Sequence, residues 1–329
     1  MKAPKPIAIY HEHPSWFDRL FAELDRRGTP YVRIDAAAHR YDPSEREVPY
    51  SLVFNRASPS AYLRGHGQVT FHTLHWMRHL ERLGVPVVNG SKPYSFEISK
   101  ADQIGMLQKL GLPHPASRVI NHASQAPAAA AELRFPVLVK ANIGGSGAGI
   151  TRFDTPEELA MAAQAGALDL GVDHVALVQE LVPFRDGHIT RLEVLGGKFL
   201  YALDVYPPAG SYNLCPGTMC RTEDAPAAAS CTVEAEKKGS VVRAASPPAA
   251  MIDAVERIAA EIGLDIGGFE YFVDDRDGLP YFYDINCLSN FVADAPRVIG
   301  FDPFARLADY LEQRAGLPVS ALAEAAGAR

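Results

Sequence analysis

A glycine-rich loop between two apolar, strand-like segments constrains the fold of this chain more than any other feature. The segment from Phe135 to Phe153 reads FPVLVKANIGGSGAGITRF, with Lys140 at the end of the first apolar run. A Walker A loop needs a lysine after its glycines, and a dinucleotide-binding fingerprint opens directly into a helix. Here the extended run ITRFD follows the glycines, so we predict a loop that joins two strands.

Such a loop is suited to phosphate binding. Glycine lets backbone N–H groups approach a phosphate closely, because no side chain intervenes. A loop between strands has no helix dipole to use, so we expect it to fold over phosphates as a flap while Lys140 supplies positive charge. An ordinary glycine-rich hairpin is the alternative for this segment taken alone.

A second polar cluster lies in GGFEYFVDDRDGLPYFYDIN (267–286), which predicts two strands around the turn DDRDG. Glu270 lies on the first strand, whereas Asp284 and Asn286 are two apart on the second and therefore share a face. Magnesium prefers oxygen ligands from a few carboxylates together with substrate phosphates. The hairpin thus predicts a magnesium site, and a solvated polar face is the alternative. The turn aspartates are predicted to be solvated: Asp274, Asp275 and Asp277.

The remaining sequence indicates a soluble α/β protein. Strand-like and helix-like segments alternate at the amino end, which predicts a small parallel sheet whose ligand edge carries YHEHP (10–14) and NRASPS (55–60). Residues 95–117 are predicted to form one helix, and 222–249, rich in Ala, Ser and Pro, a surface loop. A net charge of -7 argues against a nucleic-acid partner. We find no signal peptide, no membrane-spanning run and no paired cysteine spacing, so we expect a cytoplasmic protein.

Taken in order and with their spacing, these motifs resemble the ATP-grasp superfamily of carboxylate–amine ligases, in its RimK-type and glutathione-synthetase-like branch. The acidic hairpin is one part of the resemblance. The others are EISKADQIGMLQKLGLPHP, FPVLVKANIGGSGAGI, LVQELV and HITRLEVLGGKFLYA.

The resemblance implies an α/β protein of the ATP-grasp (α+β) type with antiparallel sheets in its ATP-grasp part. A small parallel α/β domain (1–94) would precede a small lobe with the flap (95–182) and a large lobe with the metal site (183–329). The implied reaction activates a carboxylate with ATP as an acylphosphate and joins it to an amine, releasing ADP and phosphate. Two Mg²⁺ ions would assist, with Mn²⁺ as an alternative ion.

The resemblance also implies the roles of individual residues. Arg191 would steady the transferred phosphate, and Asp186 or His188 would contact the ribose. The implied nucleotide contacts are Lys100, Lys140, Gly144, Gly145, Ser146, Gly147, Gln179, Glu180, Leu181 and Val182, and the implied metal ligands are Glu270, Asp284 and Asn286. Two kinds of departure from the family pattern occur. Ser99 stands where the family often has Asp. Glu270 stands where the family often has Asp and Asp284 where it has Glu, and metal binding should survive because a carboxylate is kept at both positions.

Substrate contacts are predicted less directly. Arg56 and His11 lie at strand ends that face the expected cleft, and Asn213 and Arg221 lie in YNLCPGTMCR, which follows the HITRLEVLGGKFLYA motif. The expected substrates are a small-molecule carboxylate and an amine of amino-acid or peptide type, and a homodimer is compatible with the resemblance. A peptide- or protein-modifying ligase and a non-catalytic nucleotide-binding protein are the alternatives.

Overall fold

The computed structural model describes residues 4–144, 149–207, 241–292 and 295–318. Its strands form three sheets, and one sheet lies in each of the three predicted segments. The first is parallel and the other two are antiparallel, as predicted from the sequence. Within the described ranges, no helix combines the length and apolar character that a membrane span requires.

The amino-terminal sheet has the strand order β2-β1-β3-β4. Its strands are Ile7–His11 (β1), Tyr31–Asp35 (β2), Leu52–Arg56 (β3) and Val87–Val88 (β4). Every residue of β1 and β3 is buried, because helices cover both faces of a parallel sheet. These helices are α1 (Asp18–Arg27) and α2 (Gln68–Arg82), with short 3-10 helices at Pro14–Phe17 and Pro59–Arg64.

The single helix predicted over 95–117 is wrong, because the chain forms two helices there, α3 (Ser91–Glu97) and α4 (Lys100–Lys109). Ser99 breaks them apart: it adopts an extended conformation, and its side chain accepts the backbone N–H of Asp102 at 3.1 Å. A serine in this position caps a helix rather than continuing one. The cap makes Lys100 the first residue of α4.

The small-lobe sheet follows, with the order β5-β8-β6-β7. Its strands are Ser117–Ile120 (β5), Val137–Ala141 (β6), Ile150–Phe153 (β7) and Ala176–Glu180 (β8). Two helices, α5 (Ala126–Ala130) and α6 (Pro156–Gln164), pack on one face through an apolar cluster, with a 3-10 turn at Ala123–Gln125 before α5. The glycine-rich loop joins β6 to β7, as predicted.

The large-lobe sheet has the order β11-β10-β9-β12-β13. Its strands are Ile189–Leu195 (β9), Lys198–Tyr206 (β10), Val241–Ala244 (β11), Ile266–Val273 (β12) and Pro280–Asn286 (β13). One face packs on α7 (Ala249–Ile262), and the 3-10 turn Arg185–Gly187 precedes β9. After β13 come α8 (Ala295–Ile299) and α9 (Pro303–Arg314).

Two sequence predictions need correction in this lobe. Part of the expected surface loop 222–249 is strand β11, which pairs with β10, and α7 already begins at Ala249; residues 222–240 lie outside the described residues. Asp274 is fully buried rather than solvated, because Arg276 pairs with its carboxylate at 2.7 Å. A buried carboxylate needs such a partner.

Candidate functional site

Three charged residues form a row across the large-lobe sheet. Glu270 on β12 lies opposite Arg191 on β9 and opposite Asp284 on β13. Residues directly opposite each other share a face of the sheet. The adjacent row on the same face holds Glu193, Gly268 and Asn286. The other face packs on α7, so the polar residues are concentrated on the face that points away from that helix.

Arg191 is the centre of this row. Its guanidinium donates to Glu193 at 2.7 Å, to Glu270 at 2.6 Å and to the hydroxyl of Ser289 at 3.0 Å. It crosses directly above Gly268, where a Cβ atom would lie 2.8 Å from the guanidinium carbon. Only glycine leaves room for the side chain at this point.

Two lysines from other elements reach the same row. Lys100, at the start of α4, pairs with Asp284 at 2.6 Å. Lys140, on β6, is buried, and burial together with the charge of Lys100 lowers its pKa to about 7. Burial opposes the ionisation of Asp284, but its attraction to Lys100 and Lys140 prevails and lowers the pKa of this carboxyl. The structure therefore brings the basic flap side and the acidic hairpin together.

Glu270 differs from Asp284. Burial raises the pKa of Glu270, and the charge of Asp284 adds to this rise although Arg191 opposes it. One oxygen of Glu270 accepts from Arg191 and the other from the hydroxyl of Tyr283. Asn286 donates to Asp284 at 3.2 Å.

This donor set fits a hard cation, because two carboxylates and an amide on one face supply oxygen atoms. Among the described residues, no three His, Cys, Asp or Glu side chains are placed to share a metal ion. A metal at the predicted residues would therefore bind through Glu270, Asp284, Asn286 and oxygens from a ligand or water.

The start of the flap is held in place by Asn142. Its side-chain oxygen accepts the backbone N–H of Ala101, and its amide donates to Asp173 at 2.8 Å. A Cβ atom on Gly144 would lie 3.5 Å from the Lys100 side chain, so the start of the flap borders the lysine site. The other predicted flap contacts, Gly145, Ser146 and Gly147, lie outside the described residues.

Residues 179–182, which the resemblance implies as nucleotide contacts, run from the end of β8 into the segment that follows it, and we call them the hinge. Glu180 and Leu181 donate their backbone N–H groups to Ala116 and Pro136, and Gln179 donates its side-chain amide to Ser117. The next residue, Val182, joins an apolar cluster with Ile189, Val205 and Phe272, against which Phe184, Tyr281 and Tyr283 pack. The hinge therefore borders a buried apolar cluster.

The Glu180 side chain has a structural task. It accepts the backbone N–H of Arg134 and pairs with Arg276 at 3.1 Å, which ties the hinge to the β12–β13 turn. Of the two predicted ribose contacts, Asp186 is exposed in a left-handed conformation, and His188 is half-buried with a nitrogen 3.7 Å from Asp204.

The predicted substrate residues His11 and Arg56 lie opposite each other at the carboxyl ends of β1 and β3. Both are buried. Burial, with the charge of Arg33, lowers the pKa of His11, which favours the neutral imidazole. Asn213 and Arg221 lie outside the described residues.

Several residues of the site were missed from the sequence. Glu193 could have been found, because it lies two residues after Arg191 on the same strand and so shares its face. Tyr283 and Ser289 gave no comparable signal, because a hydroxyl beside a charged group follows no spacing rule. Asn142 was missed because it lies at the start of a loop, and a loop has no regular side-chain spacing from which its contacts could be predicted.

Comparisons with known proteins agree with this architecture. No model of a known protein family matches the chain. A D-alanine–D-alanine ligase of Haemophilus influenzae is 27% identical over 183 residues, which are 54% of this chain and 58% of that ligase. The chain thus spans little more than half the length of this relative.

Solved structures match over most of the chain. The ATP-grasp ligase PsnB, in a complex with a phosphomimetic variant of a minimal precursor, Mg and ADP, has a TM-score of 0.66 at 17% identity, covering 95% of this chain and all of PsnB. The D-cycloserine synthetase DcsG has a TM-score of 0.66 at 17% identity, covering 94% of this chain and 99% of its own. The chain therefore has the ATP-grasp fold, which confirms the fold predicted from the sequence.

Proposed function

We propose that this chain is an ATP-dependent carboxylate–amine ligase that forms an acylphosphate and then an amide, releasing ADP and phosphate. The observation that carries the proposal is the convergence of Lys100 and Lys140 with Asp284, Glu270 and Arg191. Phosphoryl transfer needs positioning and charge neutralisation more than covalent help from the protein, and this cluster offers both. The relative and the two solved structures described above are named as ligases or synthetases, which supports the same reaction class.

The nucleotide would lie between the two lobes. Its adenine would occupy the apolar cluster beside Val182, and the hinge backbone from 179 to 182 would read its edge. Lys100 and Lys140 would neutralise phosphate charge, and the flap from Gly144 onward would cover the phosphates. Closure would exclude water and so protect the acylphosphate from hydrolysis. We place the ribose near Asp186 or His188.

Glu270, Asp284 and Asn286 would hold magnesium, two ions by our expectation, with Mn²⁺ as a substitute. The metal supplies charge neutralisation for the phosphate oxygens. Arg191 would stabilise negative charge on the transferred phosphate, because its guanidinium is fixed by three contacts before any substrate arrives. Lys140 would contribute a second positive charge from the opposite lobe.

Arg56 would bind a substrate carboxylate and His11 would contact the same substrate from the adjacent strand. Asn213 and Arg221 stay predicted contacts of the acceptor side. We also propose that the protein is a cytoplasmic homodimer. Its three segments would be divided after residues 94 and 182. A peptide acceptor remains the second candidate because another structure of PsnB, which has the same fold, is a complex with a precursor peptide.

The test is ADP release from ATP with a panel of carboxylates, each with and without amines, followed by mass spectrometry of the product. We expect carboxylate-dependent ADP release, and Asp284→Asn should lower kcat about 100-fold or more by weakening charge neutralisation. Asp253→Asn, at an exposed position of α7, is the control and should keep full activity. Unchanged turnover in Asp284→Asn would refute the assigned role, and nucleotide binding without turnover for any carboxylate would favour a non-catalytic protein.

A further inference from the structure

Strand β2 is an open edge of the amino-terminal sheet. Among the residues that the structure describes, it pairs with β1 alone. Pro30, just before β2, accepts the backbone N–H of Ile7 at 3.0 Å, so the even-numbered residues direct their backbone groups toward β1. Ala36, just after β2, continues this pattern by donating its N–H to His11 at 2.8 Å. Because hydrogen-bonding directions alternate along a strand, three residues direct their backbone N–H and C=O groups outward: Tyr31, Arg33 and Asp35.

Two of these outward residues carry opposite charges. Arg33 and Asp35 are both exposed. The guanidinium carbon of Arg33 lies 3.6 Å from the ring centre of Phe21, and Asp35 accepts the backbone N–H of Ala37 at 2.9 Å. Neither contact neutralises a charge, and no ion pair within the described ranges involves either residue. Charged side chains protect an edge strand from pairing with another chain, but only where like charges would meet.

A second copy of this chain can neutralise both charges in a single register. If two β2 strands pair antiparallel about a two-fold axis at Ile34, Arg33 lies opposite the partner's Asp35, and Asp35 lies opposite the partner's Arg33. Each of these pairs would exchange two backbone hydrogen bonds, because both residues direct their backbone groups outward. An axis at Arg33 would instead place two arginines opposite each other, which is unfavourable. The charges therefore favour the register centred on Ile34.

The other face of the strand favours the same register. Ile34 would lie opposite the partner's Ile34 in a pair without hydrogen bonds, the type in which side chains approach more closely. Val32 would lie opposite the partner's Ala36. In the single chain 37% of Val32 is exposed, which is high for a large apolar side chain. Pairing would thus cover apolar surface on one face while it joins opposite charges on the other.

We propose that two copies of this chain pair antiparallel through β2 about Ile34, with Arg33 of each copy bound to Asp35 of the other. This inference rests on the homodimer in the proposed function and assigns its interface. The two four-stranded sheets would become one continuous sheet. A two-fold interface uses the same surface on both copies, so the assembly closes at two chains and leaves no β2 edge open.

Sedimentation equilibrium of the full chain over a concentration series gives the dissociation constant of the dimer. Arg33→Glu and Asp35→Lys each place like charges opposite each other at both pairs, so either change should raise this constant at least about tenfold. Arg118→Glu is the matched control. Arg118 is also an exposed arginine on an edge strand, β5 of the small-lobe sheet, and its substitution should leave the dissociation constant unchanged.

An equimolar mixture of the two variants tests the register. In the mixed dimer the two substituted residues lie opposite each other with opposite charges, and the remaining Arg33 lies opposite the remaining Asp35. We expect the mixture to dimerise within about threefold of the parent dissociation constant, although each variant alone does not. A variant that had merely lost its fold would gain nothing from mixing.

ADP release, measured on the same samples, separates the interface from the proposed reaction. A chain that releases ADP with a carboxylate but stays monomeric at every concentration overturns the interface alone. The interface is also overturned if both variants dimerise as tightly as the parent, or if their mixture stays monomeric. A dimer with the expected charge dependence in a chain that never releases ADP supports the interface and contradicts the ligase.

Discussion

At the scale of single residues, we expect Lys140 to couple nucleotide binding to proton uptake. Its pKa is lowered to about 7 in the nucleotide-free protein, mainly by burial. A triphosphate beside it would raise this pKa again, because an opposite charge favours the charged form. At pH 8 we therefore expect nucleotide binding to take up a substantial fraction of one proton. Calorimetry in two buffers of different ionisation enthalpy measures this uptake.

The variants for this prediction are Lys140→Met and, as a control, Lys109→Met at an exposed lysine of α4. The uptake should vanish in the first and persist in the second.

Lys140 also sets a pH dependence of stability. The unfolded chain, with the ordinary lysine pKa of 10.5, binds more protons than the folded chain above pH 7. The contribution of Lys140 therefore makes the free energy of unfolding increase as pH rises from 7 to 10.5. In Lys140→Met this increase should be smaller.

Gly268 is predicted to be indispensable for the placement of Arg191. In Gly268→Ala the new methyl group would displace the guanidinium from above the strand. We expect turnover to fall at least tenfold, in line with the loss of one fixed charge contact. Gly105→Ala is the matched control, since a Cβ atom there meets nothing within 4 Å and lies inside a helix, where alanine stabilises. Equal turnover in the two variants would contradict the role given to Gly268.

At the scale of elements, the β12–β13 turn supports the hinge through Arg276. Its guanidinium joins the buried Asp274 to Glu180 at the end of β8. In Arg276→Gln the hinge loses this support, and we expect ATP to bind about two- to fivefold more weakly, the range of a partly exposed ion pair.

Fluorescence titration with a nucleotide analogue measures the change. Arg185→Gln is the control because Arg185 contacts Asp275 of the same turn, at 3.4 Å, rather than the hinge strand. A loss of affinity as large in Arg185→Gln as in Arg276→Gln would assign the effect to the turn in general.

Elements with a strong local pattern were predictable from the sequence, and those that depend on distant partners were not. The two strands around the 274–278 turn followed from the turn residues and the alternating apolar residues on either side. Strand β11 did not, since its four residues are too few to show a pattern and form a strand only by pairing with β10. The same holds for the site: Lys140 and Asp284 were visible as outliers in apolar strands, whereas the pairing of Lys100 with Asp284 joins residues 184 positions apart.

At the scale of the whole molecule, the segment after β13 is where the parts meet. Residues 287–291 contact Arg56 of the amino-terminal domain, Arg191 of the large lobe, and Glu97 at the end of α3. The Glu97 carboxylate accepts the backbone N–H of Cys287. Burial, reinforced by the charge of Asp284, raises the pKa of Glu97 to about 7. The proposed substrate end and the proposed phosphate end of the site therefore share one short stretch of backbone.

Asn89, directly after β4, should govern how firmly the amino-terminal domain is held to this stretch. Its buried amide oxygen accepts the N–H groups of Asp265 and Ile266 at 2.8 and 3.0 Å, and its nitrogen donates to the carbonyls of Ile266 and Cys287. Asn89→Ala would leave these buried backbone groups without partners, at about 1–3 kcal/mol each where no water replaces the amide. We expect the free energy of unfolding to fall by about 3 kcal/mol or more in a urea titration, while Asn121→Ala, at an exposed position, should change it by no more than about 0.5 kcal/mol.

Because Asn89 holds the residue that follows Asn286, affinity for Mg²⁺ with a non-hydrolysable ATP analogue should fall together with stability. A variant that loses stability but binds metal and nucleotide as the parent does would show that the two parts are joined mechanically yet act independently.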